Sequence, residues 1–140
     1  MKMTWFIYAI LSMIILGIMF LLIRQVLILG VRSELIVFYQ FAISSVLLAL
    51  FLASTKVSFK VSNNAVILLI IIGVISVIGN IFMFRALAGS TNPGYALAIT
   101  NLNTLIVLIG GLVFFKADFS LTKIIGTILA IIGVILLGLK

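Results

Sequence analysis

The chain has no cysteine and no histidine, and among its 140 residues only two carboxylates, Glu34 and Asp118. Without thiols or imidazoles, a disulfide framework, a cysteine nucleophile and the usual zinc or haem ligand sets are all excluded. Two carboxylates so far apart in sequence do not make a general acid–base pair, so the chain does not read as an enzyme. No glycine-rich phosphate loop follows a strand pattern, which argues against nucleotide-driven chemistry by this chain alone. No metal or cofactor is expected. Proline occurs once, and charged residues make up 8% of the sequence.

What fills the chain instead is apolar. Hydrophobic residues make up 66%, where a soluble domain has roughly 45–50%, and the mean hydropathy is +1.56. Five apolar runs cover residues 4–23, 35–53, 65–87, 95–115 and 121–139. A helix rises ~1.5 Å per residue and the hydrocarbon core is ~30 Å thick, so about 20 apolar residues cross it. The expectation is an all-α integral membrane protein with five transmembrane helices, a single domain over residues 1–140, and its two ends on opposite sides. The first run follows a lysine, as a signal peptide would, but no small-residue cleavage site follows it, so it reads as a retained span.

The net charge of +7 comes from nine Lys/Arg against Glu34 and Asp118. These basic residues cluster at span ends, where they anchor in headgroups and set orientation, so nucleic acid is not the expected partner. Alternating spans put Lys2, Lys56, Lys60, Lys116 and Lys123 on one side and Arg24, Arg32, Arg85 and Lys140 on the other. Five against four is almost no bias. Either orientation is set by other factors, or the chain inserts both ways round. In the second case two copies pair as an antiparallel inverted repeat, an architecture of many secondary transporters.

Polar side chains inside a span need partners, so they mark interiors and pathways. The fourth span is richest, with Tyr95, Thr100, Asn101, Asn103 and Thr104. On a continuous helix Thr100, Asn103 and Thr104 share a face, and Asn101 lies on a neighbouring one. The third span adds Ser76 and Asn80, and the second Tyr39, Gln40, Ser44 and Ser45. The serines read as interhelical hydrogen-bonding glue. Asn80, Asn101, Asn103, Thr104, Thr100, Gln40 and Tyr39 are the candidate substrate contacts, with Tyr95 a gate at one mouth. In the fifth span Gly126, Ala130 and Gly133 form a small-residue stripe that admits a closely packed helix, from the same chain or from a second copy across a dimer interface. Arg24 and Arg85 read as interfacial anchors or, alternatively, as contacts for an anionic group.

Gly79-Asn80, Arg85-Ala86-Leu87, residues 91–98, residues 118–120, Gly126 and Ile131-Ile132-Gly133-Val134 together resemble the C-terminal part of an EamA-type domain, the repeat unit of the drug/metabolite transporter superfamily. Gly17 and the basic residue after the first span fit the same pattern more loosely. Three positions depart from it. Gln40 stands where the pattern often has arginine, Asn103-Thr104 where it often has a mid-span proline, and Asp118 only approximates its acidic residue before the last span. The Gly126/Gly133 spacing is also similar to the last helix of small multidrug resistance transporters, but the embedded glutamate of their first span is missing here.

The resemblance implies a half-size, five-span transporter that needs a homodimeric or paralogous half-size partner. The expected activity is secondary transport of a small polar metabolite or drug-like compound, by alternating access, in the cytoplasmic (inner) membrane. Without a buried carboxylate, facilitated export or exchange fits better than proton coupling. A lipid-linked sugar flippase subunit, with Arg24 and Arg85 on phosphate, and a non-transporting membrane partner protein are the alternatives.

Overall fold

A computed structural model describes residues 4–55, 57–115 and 120–138. Lys2, Lys56, Lys116, Asp118 and Lys140 lie outside the described residues, and so does most of the 118–120 motif. The described residues form helices and short connections, with no strand among them: α1 Thr4–Ile28, α2 Ser33–Thr55, α3 Asn63–Gly89, α4 Pro93–Thr100, α5 Asn103–Phe115 and α6 Leu121–Gly138. Phe6–Ile28, Ser33–Thr55, Asn63–Gly89 and Pro93–Phe114 are each long and apolar enough to cross a membrane, and Ile124–Leu136 is a shorter apolar helical segment. This is the expected five-segment, all-helical membrane architecture. The chain divides into two compact units, Met1–Ala88 and Gly89–Lys140.

Local chemistry sets the ends of the elements. α1 runs beyond its expected limit at residue 23 because residues 24–28 continue the turn. It stops at Gly30, whose φ of +83° few other residues adopt at low cost. The Val31 N–H reaches the Val26 carbonyl at 3.4 Å and the Gly30 N–H reaches Leu27 at 3.0 Å, the paired bonds of a Schellman C-cap. Ser33 is of a residue type that favours the N-cap, but it does not cap α2. The first carbonyl used is instead that of Arg32, which accepts from Leu35 at 3.0 Å and Ile36 at 3.2 Å, and Ser33 is buried inside the first turn. α3 starts on Ser62, whose hydroxyl and carbonyl accept from Ala65 and Val66. Asn92 starts α4 with its side-chain oxygen on the Gly94 N–H at 2.9 Å, and Pro93 follows as the first helical residue.

In the first unit, tight packing is confined to one end. Ile23, Ser33, Ile36, Val37, Phe84 and Leu87 are its buried residues, the last two with no exposure at all. They come from the end of α1, the start of α2 and the end of α3. Further along, side chains such as Leu47, Ile70 and Ile75 are more than half exposed. In water such surfaces would be prohibitive; in hydrocarbon they face their proper solvent, and packing between helices takes over from the hydrophobic effect. In the second unit α4 packs on α6, with Ala96 buried.

Candidate functional site

The fourth span is not one helix. It breaks between Thr100 and Asn103, near the middle of the 22-residue segment Pro93–Phe114. At the break, Leu102 donates to Ile99 at 3.1 Å, Thr104 to Asn101 at 3.1 Å and Leu105 to Leu102 at 2.9 Å. These bonds span three residues instead of four, the signature of a 3₁₀ turn. The expectation of a continuous helix over 95–115 is therefore corrected. No proline is needed for the break: Asn and Thr have side chains that compete locally for backbone bonds. The Thr100 hydroxyl does so, lying 3.2 Å from the Ala96 carbonyl and 3.0 Å from that of Leu97.

The tightened turn changes which polar groups meet. Asn101 and Thr104 line one open groove of about 420 Å³ with Ala98 and Leu102 on one side and Gly126, Thr127 and Ala130 of α6 on the other. Thr100 is turned back onto its own helix, and neither it nor Asn103 lines this groove. Two members of the small-residue stripe, Gly126 and Ala130, thus face the polar turn within the same unit; Gly133 does not line the groove. Thr127 lines it as well; as a polar side chain inside the fifth apolar run it carries the same signal that marked the fourth span, and it was missed. Tyr95 is exposed near the start of α4.

The other candidates belong to the first unit. Tyr39 and Gln40 line a mostly apolar groove of about 280 Å³ with Met19, Ile23, Val26 and Val31. The two valines are the C″ and C3 residues of the α1 cap, which frequently touch in this motif. The Gln40 amide nitrogen lies 4.0 Å from the Met19 sulfur, a weak contact, while its carbonyl oxygen is buried with no hydrogen-bond donor. A buried acceptor left unsatisfied carries a real free-energy cost. Asn80 uses its amide on the Ser76 carbonyl one turn back, at 2.8 Å.

The arginines have protein partners. Arg24 Nη1 donates to the carbonyls of Leu87 and Ala88, the latter at 2.9 Å, at the end of α3. Arg85 donates to Glu34, which also accepts from Arg32 Nε at 3.3 Å. Among the described residues no group of three or more acidic side chains could hold a metal.

Among the described residues the candidate contacts are uncharged hydrogen-bonding side chains, and Arg24, Arg32, Glu34 and Arg85 stand towards the ends of their helices or beside them. No curated protein and no solved structure matched the chain. The chain does match the EamA-like transporter family over residues 3–139 and belongs to that family.

Proposed function

From membership of a family of membrane transporters, we propose that this chain is a secondary transporter of a small, uncharged polar metabolite or drug-like compound. The observation that carries this reading is the broken fourth span, with Asn101 and Thr104 beside it in a groove otherwise walled by small and apolar residues. Discontinuous helices at mid-depth are where secondary transporters form their sites, because backbone freed from the helix is tolerated only where it lines a cavity. Asn101 and Thr104 supply direct hydrogen bonds, while the Thr100 hydroxyl stays on its own helix. Tyr39 and Gln40 form a second polar pair, in which the undonated Gln40 oxygen favours a ligand carrying an N–H or O–H; Asn80 is a separate polar position on α3.

Alternating access follows if two copies act together in opposite orientations, each supplying one half of the machine. A paralogous half-size partner serves equally. The cytoplasmic membrane is its expected location. A flippase reading would require Arg24 to exchange the α3 carbonyls for a phosphate, and a non-transporting scaffold has no use for the polar turn.

The test is counterflow of a panel of labelled neutral polar metabolites into liposomes that contain only this chain. Asn101→Leu and Thr104→Val are expected to abolish flux of the active compound with insertion and yield unchanged. Absence of flux across the panel overturns the homodimeric transporter, and flux indifferent to both substitutions overturns the site.

A further inference from the structure

α2 and α3 leave a groove of about 430 Å³ between them. On α2 its wall is Val37, Phe38, Phe41 and Ala42, with Glu34 at one end and Ser45 at the other. These positions repeat at three and four residues and so form one helix face. The eleven steps from Glu34 to Ser45 cover about 16 Å, close to the depth of one leaflet of a ~30 Å hydrocarbon core. Val77 and Ile81 form the α3 wall, and the next residue on that four-residue spacing is Arg85. The groove is apolar along its length and charged at one mouth.

The mouth carries net charge +1: the guanidiniums of Arg32 and Arg85 against the single carboxylate of Glu34. Glu34 engages one nitrogen of each arginine, and a guanidinium has five N–H donors. The Arg32 and Arg85 side chains are 77% and 58% exposed. We propose that this site binds an anionic phospholipid, with its phosphate on Arg32 and Arg85 and one acyl chain in the α2–α3 groove. Arginine is well suited to phosphate because its fork of donors matches the oxygens. A helix from a second copy suits the mouth less well, since the chain offers only Glu34 and Asp118 as anions against nine cations. The proposal stands independently of the transported compound.

A single tryptophan placed in the groove reads occupancy by quenching. The full chain carries Trp5→Phe with Phe41→Trp, or with Phe38→Trp as a second reporter, in phosphatidylcholine vesicles doped with dibrominated phosphatidylglycerol or dibrominated phosphatidylcholine. Half-maximal quenching is expected at about a five-fold lower mole fraction of the anionic lipid, the discrimination given by one net cation near a membrane surface. Arg32→Gln should erase that preference, and Glu34→Gln should increase it. Equal quenching by both lipids would reduce the groove to ordinary lipid contact and overturn the proposal. So would the absence of quenching by either lipid at both reporters, which would mean that protein fills the groove.

Discussion

Glu34 and Arg85 stand 51 residues apart in sequence and meet at 2.5 Å, joining the start of α2 to the end of α3. Arg32, two residues from Glu34, completes the cluster. The pair lies beside the best-packed end of the first unit, where Ile36, Val37, Phe84 and Leu87 are buried. Position matters here more than the strength of an exposed ion pair, which is small by itself. The expected signature is coupling. Glu34→Gln and Arg85→Gln each lower the thermal midpoint of the purified protein, and the double variant is no worse than the worse single one. Additive losses would show that the two side chains act separately.

Arg24 has a different task. Its Nη1 serves two carbonyls at the end of α3, where intrahelical donors run out and the helix dipole is negative. Arg24→Gln removes the charge and its reach, at an expected cost of about 1.5–3 kcal/mol, the range for hydrogen bonds to charged groups. Arg24→Lys should recover part of it. Reversible unfolding in mixed detergent micelles measures both.

The polar turn separates Asn101 from Asn103. Asn101 lines the groove and Asn103 does not. Asn101→Leu is therefore expected to stop counterflow, whereas Asn103→Leu should retain most of it. The reverse order would move the binding surface to the other face of α5.

The α6 stripe is tested by volume. A Cβ added at Gly126 meets no atom within 4 Å, so Gly126→Ala should fold normally and gain up to about 1 kcal/mol from the better helix former. Ala130→Leu projects into the 420 Å³ groove and should cut transport at least ten-fold while cross-linked dimer yield stays constant. Loss of dimer instead would assign the stripe to a subunit seam.

Orientation is readable with a single thiol, since the chain has none. Ser62 caps α3, so the reporter belongs next door at Val61, which is 54% exposed. Val61→Cys labelled by an impermeant maleimide in intact and then permeabilised cells should divide about equally if insertion is dual. One-sided labelling would require an inverted partner of different sequence.

That the chain is a series of apolar helical segments was legible because apolar length is a local property. The 100–104 cluster was legible as polar, but not as a break. Neither Asn nor Thr forces a helix to end, even though their side chains compete for backbone bonds, so the 3₁₀ bonds at Leu102, Thr104 and Leu105 carry no decisive marker in the sequence. Reading a regular helix there grouped Thr100 and Asn103 with Thr104; the turn put Asn101 beside Thr104 instead. The partners of Arg24 and Arg85 were beyond reach for another reason. Both contacts join residues more than fifty positions apart, and no local pattern encodes them.

The broken span also bears on how the chain enters the membrane. α4 has 8 residues and α5 has 13, about 12 Å and 20 Å of helix, and neither alone crosses a ~30 Å core. Its hydropathy, 2.0, is the lowest of the four long segments. The insertion machinery must therefore accept residues 93–114 as one continuous stretch. The wall opposite Asn101 and Thr104 comes from α6, which follows them in the chain. A chain halted before residue 121 therefore lacks the wall that faces Asn101 and Thr104, and its polar turn has only lipid or another protein to meet.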